Sequence, residues 1–350
     1  MRVGICTRYD RDESALTATI FADWLRANGY DVSMFVVPSS VVLSQGNWWD
    51  THHFHGSRVL FSDWVGHRDV VVWLSVPHRE QLEYLQKNGI KSFVLYDHYM
   101  PFCKEVMDVY SAADSLLVVN RACAYRCMTA AKIGKPFFVP LVPNAPTYER
   151  SRRPGILPTV LWPIFDEDWC RFDSTILLPQ MTELLRKFNN TFSLRIAIST
   201  YKLPSKMLRT FQTWQKQYDN VSLHTCRNIR WRNLQYQYAD IMFWPSYIEN
   251  AMLRGLHAYS FGVPIVGINA NPMAELLAAA PQLSVAVTEN NKTRYGYLDT
   301  PTPELHEVLL ERLLAVIQSP DILTAASAGV TRFISARHKT FEIAMKKLFK

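Results

Sequence analysis

Residues 245–266 read PSYIENAMLRGLHAYSFGVPIV, and they hold the side chains with the clearest chemical use. The apolar run just before them reads as a buried strand, so Pro245 and Ser246 leave its C-terminal end and Glu249 stands just beyond it. A carboxylate in that place can accept hydrogen bonds from ligand hydroxyls; it can equally serve as a helix cap. The amides of Asn250, Ala251 and Met252 would open the next helix, where N–H groups without helical partners favour phosphate or carboxylate oxygens. Eight residues after Glu249 comes His257. A neutral imidazole can hydrogen-bond a hydroxyl through either nitrogen, but it offers one acceptor where a carboxylate offers two oxygens.

Cations that could meet a phosphate are Arg171, Lys202, Arg227 and Arg230, each of which is also readable as a solvated surface charge. A second constellation is GNWWDTHHFHG, residues 46–56, which places His52, His53 and His55 beside Trp48 and Trp49. With Asp50 it could approach a metal set. It could also stack on the ring of a ligand, or simply be a packed loop. Glycine-rich dinucleotide fingerprints, a nucleophile elbow, a phosphate-binding P-loop and a paired-cysteine zinc pattern are all missing from the sequence. The six cysteines are scattered, and reduced thiols are the expectation.

These residues need a scaffold, and the hydropathy pattern supplies one. RVGICT, DVSMFVV, DVVVWLS, KSFVLYD, SLLVVN and PFFVPLV are short apolar runs alternating with helix-like segments. That alternation predicts a doubly wound α/β domain with parallel strands. A break follows at PNAPTYERSRRPGILP, rich in proline and basic residues. Alternation then resumes with TVLWPIF, SLRIAIS, VSLHTC and DIMFWPS, predicting a second domain of the same class. The expected boundaries are 1–148 for the first domain, 149–158 for a Pro-rich hinge and 159–335 for the second domain. A terminal basic helix over 336–350 could pack back on the first domain. Ligands of such folds bind at the C-terminal ends of the strands, so two facing domains imply a cleft between them.

At 350 residues the chain is long enough for two cores, and 48% hydrophobic content argues against disorder. The net charge of +7 is unevenly spread. Residues 1–150 hold 15 Lys+Arg against 15 Asp+Glu, whereas 151–350 hold 23 against 16. A basic second half suits a diphosphate-bearing ligand or a polyanion, and it is equally compatible with a basic solvated surface. Neither a secretory leader nor a membrane-spanning run is expected, which gives a cytoplasmic protein, or one of the host cytoplasm if viral.

The segment ADIMFWPSYIENAMLRGLHAYSFGVPIVGINANPMAELL resembles the donor site of retaining GT-B glycosyltransferases of the large family 4 type. Pro245, Ser246, Glu249, Gly262, Pro264, Ile265, Val266, Glu275 and Leu276 carry that resemblance. VLYDHYMP and the segment ending in PLVPN are similar to the family's N-terminal half, so the resemblance runs over most of the chain. It implies a GT-B fold of two Rossmann-like domains. It also implies a metal-independent, retaining hexosyltransferase without a cofactor, using a nucleoside-diphosphate sugar, a UDP-sugar first. By the same match Glu249 contacts the donor sugar, and His98 lies beside the reacting sugar. Asn250, Ala251, Met252, His257, Arg171, Lys202, Arg227 and Arg230 would serve the donor; Asp97, Trp48, Trp49 and His53 would face the acceptor.

Three departures from the family pattern stand out. His257 replaces the second glutamate, which in the family grips the nucleotide ribose. The Gly-Arg step and nearby lysine after the first strand of the second domain are replaced by LWPIFDEDWCRF. The Gly-Gly loop after the first strand of the chain is replaced by RYDRDES. The acceptor is left as either a glycan or a hydroxymethylated DNA base, the latter as in phage-type DNA glycosyltransferases. A GT-B scaffold that binds nucleotide or nucleic acid without transferring sugar is the alternative reading, and a phosphorylase of the same architecture a further one.

Overall fold

A computed structural model gives the fold. It describes residues 1–8, 12–37, 54–55, 61–96, 104–129, 134–143, 157–165, 172–199, 203–226, 229–246, 252–287 and 302–350. The chain divides into two compact units: Met1–Pro143 with Arg337–Lys350, and Asn144–Ala336. The expected hinge residues 149–156 lie outside the described residues.

The first unit runs β1 (Arg2–Arg8), α1 (Asp12–Ala27), β2 (Asp31–Val37), β3 (Phe54–His55), α2 (Phe61–Val65), β4 (Val70–Trp73), α3 (Arg79–Lys87), β5 (Lys91–Leu95), α4 (Lys104–Ala112), β6 (Ser115–Val118), α5 (Arg121–Thr129) and β7 (Phe137–Phe138). Its strands form one sheet in the order β3-β2-β1-β4-β5-β6-β7, and every pairing is parallel. Val70, Val71, Val72 and Trp73 are all buried, as a parallel strand covered by helices on both faces requires. Gly4 is fixed by packing, because a Cβ there would lie 2.5 Å from the Trp64 ring. The stretch 46–56, read from sequence as a loop, contributes a two-residue strand: Phe54 pairs with Met34 and His55 with Phe35.

The second unit runs β8 (Thr159–Ile164), α6 (Ser174–Phe188), β9 (Ser193–Ser199), α7 (Ser205–Gln217), β10 (Val221–Cys226), α8 (Ile229–Gln237), β11 (Ile241–Trp244), α9 (Leu253–Ser260), β12 (Ile265–Asn269), α10 (Met273–Leu277), β13 (Ser284–Ala286) and α11 (Pro303–Ile317). Its parallel sheet has the order β10-β9-β8-β11-β12-β13. Trp162 of β8 sits at the centre of an aromatic core, with its ring 5.4–5.7 Å from those of Phe172, Phe211 and Phe243.

The last helix, α12 (Pro320–Leu348), is 29 residues long, so the basic segment expected as a terminal helix over 336–350 is the second part of a longer one. It opens with a proline, which is tolerated in the first turn because that N–H has no helical partner. Gly329 weakens the helix locally, yet a Cβ there would come within 2.3 Å of the Ala279 carbonyl oxygen. The close approach explains the glycine. The unit boundary falls inside α12, between Ala336 and Arg337. Past it, Arg337 donates from Nε to the Leu141 carbonyl (3.0 Å) and from Nη2 to the Val119 carbonyl (2.7 Å). Phe349 closes the chain against the rings of Trp24, Tyr30 and Phe93. Among the described residues no single helix is long and apolar enough to cross a membrane.

Candidate functional site

All pairings in the second unit's sheet are parallel, so the C-terminal ends of β8, β9, β10 and β11 lie on one edge. The segments that follow them, 166–171, 200–202, 227–228 and 247–251, lie outside the described residues. Arg171, Lys202, Arg227, Glu249, Asn250 and Ala251 therefore have no described position, nor do Trp48, Trp49, His53, Asp97 and His98 of the first unit. Arg230 is placed in the first turn of α8, and Met252 and His257 are described in full.

The strand–helix–strand unit around α9 shows why this sequence folds as it does. Met252 is fully buried and left-handed, with φ 57° and ψ 17°. It is the N-cap, so α9 opens at Leu253 and not at Asn250, as the sequence suggested. A left-handed backbone costs a non-glycine residue about 1–2 kcal/mol, and such strain persists only where the surroundings impose it. At the other end Gly262 is also left-handed, φ 68°. Its N–H donates to the Tyr259 carbonyl while Val263 donates to that of Ala258. This double closure is a Schellman motif, and it turns the chain directly into β12. Between these ends all eight residues of α9 are buried. Gly255 allows the fit: a Cβ would lie 2.2 Å from Leu276 Cδ2 and 3.1 Å from Ile265 Cδ1.

His257 is thus held inside the unit, 7% exposed. Its ring lies 4.9 Å from that of Tyr236 and 5.4 Å from that of Phe261. Burial first, and the charge of Arg232 second, push its pKa down to about 3, so the ring is neutral at physiological pH. Neutrality keeps one nitrogen as an acceptor.

Sequence reasoning passed over two cations that the structure brings to this edge. Phe165 follows β8 directly and is buried. The Arg232 guanidinium, from α8, lies 4.4 Å from the Phe165 ring centroid, and that of Arg254, from α9, lies 5.8 Å from it. Arg254 is also 5.8 Å from the Trp244 ring at the end of β11, and its Nη1 donates to the Phe165 carbonyl at 3.2 Å. Both arginines are under 10% exposed. The signal was present in the sequence: Arg254 and His257 are the only titratable residues besides Tyr259 in a short helix of otherwise small and apolar residues.

No family model matches the chain, and no curated protein matches it. Among solved structures, the chain is similar over 100% of its length to 99% of HepE of Anabaena, solved in complex with UDP-glucose, with a TM-score of 0.66 at 12% identity. Sucrose-phosphate synthase of Thermosynechococcus elongatus aligns over 100% of this chain and 98% of its own, TM-score 0.65 at 14% identity. The lipopolysaccharide outer core galactosyltransferase WaaB aligns over 99% of both chains, TM-score 0.60 at 14% identity. The fold is GT-B. At these identities the likeness establishes the architecture alone, and the two Rossmann-like halves of the GT-B fold are the two sheets described above. In this GT-B chain the described part of the candidate site is Met252, the buried imidazole of His257, and the paired guanidiniums over Phe165.

Proposed function

We propose that this chain is a metal-independent, retaining hexosyltransferase that moves a sugar from a nucleoside diphosphate, UDP first, to a hydroxyl of a carbohydrate acceptor. The observation that carries this reading is the full-length GT-B likeness to the galactosyltransferase WaaB and to HepE, solved with UDP-glucose. The donor-type segment at 245–266 adds to it. In the reaction the bond between the sugar's anomeric carbon and the diphosphate oxygen breaks, and its electron pair leaves with the diphosphate. The acceptor oxygen bonds the same carbon from the same face, and its proton passes to the departing phosphate. Such catalysis works through positioning and charge stabilisation, with no protein nucleophile required. Glu249 accepts hydrogen bonds from donor-sugar hydroxyls, and His98 stands beside the reacting sugar. His257, through Nδ1 or Nε2, serves the nucleotide end of the donor. Asp97, Trp48, Trp49 and His53 serve the acceptor.

The test is a panel of UDP-, GDP- and ADP-sugars with simple glycans and hydroxymethylated DNA as acceptors, read by mass spectrometry with and without EDTA. A glycosylated glycan, formed equally in EDTA and lost by at least 100-fold in Glu249→Ala, is the expected result. Transfer to DNA alone would replace the acceptor class. Absence of both transfer and donor hydrolysis across the panel would leave a binding scaffold instead of an enzyme.

A further inference from the structure

The strands at the sheet edges are not alike. β3 and β7 bound the first sheet with two residues each, and β13 bounds the second with three. β10, at the other end of the second sheet, has six, Val221–Cys226. It pairs with β9 on its inner side in an unbroken register, and among the described residues no strand pairs with its outer side. Short length, prolines, bulges and charged side chains are the usual protection of an edge. VSLHTC has none of them. We propose that the β10 edge, together with the flank of α8 that carries Trp231 and Tyr238, is the two-fold interface through which two copies of this chain associate. The inference goes beyond the sugar-transfer reading and does not depend on it.

Three observations commit the edge to a second copy. The first is an exposed aromatic pair. Trp231 is 52% exposed and Tyr238 60%, and their spacing puts both on one stripe of α8 with the half-buried Leu234. The opposite side of that helix packs inward, where the Tyr236 ring lies 4.9 Å from that of His257 on α9, so the stripe faces the β10 edge. Tyr238 is held from behind: the Arg195 guanidinium of β9 lies 5.0 Å from its ring centroid and donates from Nη1 to Gln235 Oε1 at 3.1 Å. The solvent side of a surface helix is ordinarily polar, and large rings there mark a contact surface. The second observation is charge. On the other face of the sheet, Lys206, Arg209 and Gln217 of α7 line a groove with Thr182 of α6. α6 is the inner neighbour, so Leu208, Gln212 and Gln215 take the flank of α7 towards the edge. His224 of β10 is neutral at pH 7, its pKa lowered by burial first and by Arg195 second. Neither flank nor the strand carries Lys, Arg, Asp or Glu, although residues 151–350 hold 23 Lys+Arg against 16 Asp+Glu. Two copies can meet here without like charges opposing. The third is geometric. A two-fold axis normal to the sheet pairs β10 antiparallel with its copy and sets α8 beside α8. α8 contacts both β9 and β10. With strands about 4.8 Å apart it lies about 5 Å from that axis and about 10 Å from its copy, the packing distance of helices. A six-residue edge is about 20 Å long, and with a helix layer on each side it buries on the order of 1,000 Å² over both copies, enough for a reversible dimer.

The experiment is sedimentation velocity on the full chain, over a series from about 1 to about 100 μM. Wild type is expected to move from the 40.4 kDa monomer towards twice that mass as concentration rises. Trp231→Glu, Tyr238→Glu and Thr225→Lys, each checked for an unchanged circular dichroism spectrum, should raise the dimer dissociation constant at least about 10-fold. Thr225 is an exposed strand residue outside the core, so Thr225→Lys decides the matter should an aromatic variant fail to fold. Tyr125→Glu on α5 is the control, because Tyr125 is 54% exposed and belongs to the other unit; it should change the constant less than about 2-fold. A wild type that stays monomeric throughout the series would overturn the proposal. So would a dimer that all folded edge variants leave intact, or one that Tyr125→Glu weakens as much as they do.

Discussion

Each unit buries arginine, but in different company. In the first, Arg337 is 7% exposed and its guanidinium is bound to two backbone carbonyls, Val119 and Leu141. In the second, Arg232 and Arg254 are buried to the same degree and lie near aromatic rings, Phe165 for both and Trp244 for Arg254, whose Nη1 also donates to the Phe165 carbonyl. A carbonyl holds a guanidinium by its N–H edge and uses up the donor. A ring attracts it through its π face without taking up an N–H donor. Equal burial thus goes with different surroundings: two carbonyls for Arg337, aromatic rings and a carbonyl for Arg254.

The sharpest way to break this contrast is Arg337→Met. It strips charged donors from two carbonyls, so it should cost about 3–5 kcal/mol in urea unfolding. Its effect on nucleotide affinity, where the protein stays folded, should be less than about 2-fold. Next is Gly329→Ala, on the helix that carries Arg337. Its Cβ would meet the Ala279 backbone, which cannot rotate away, so a loss of about 2–3 kcal/mol is expected in the same measurement.

His257 reports its burial, and after that the charge of Arg232, through pH. Its folded-state pKa is lowered to about 3, whereas the unfolded side chain titrates near its ordinary 6.5. Below pH 6.5 the unfolded chain takes up a proton that the folded one does not, so stability falls with pH through that window, by about 2 kcal/mol at pH 5. His257→Gln should remove about one proton's worth of slope between pH 6.5 and 5 in the unfolding midpoint. An unchanged slope would mean the ring is not buried neutral. The smallest effect is expected for Gly255→Ala, beside Arg254. Its Cβ meets the end of the Leu276 side chain, which can shift, so about 1–2 kcal/mol is lost.

The sheets were legible in the sequence because their strands are continuous apolar runs such as VVVW and IMFW, and the turn out of α9 because Gly262-Val263-Pro264 stops a helix and starts a strand. What escaped has physical reasons. The two-residue strand at Phe54 and the five-residue helix α2 are too short to show a period. The first half of α12 contains a glycine whose purpose is a tertiary contact. Arg232 and Arg254 escaped because a cation in a helix reads as solvated, and only the fold shows α9 enclosed on every side. Most of the motif residues, Glu249 and His98 among them, fall in the segments beyond the strand ends, where sequence remains the guide.

The course of α12 has a practical corollary for dissecting the molecule. Because the helix begins in one unit and ends in the other, the polypeptide passes between the units twice, at 143/144 and at 336/337. No single cut releases the first unit intact. A fragment ending at residue 143 would leave Trp24, Tyr30 and Phe93 without the Phe349 ring that covers them, and would lose the arginine tied to Val119 and Leu141. A soluble isolated first half would have to be built with its final helix rejoined, as a permuted or two-piece chain.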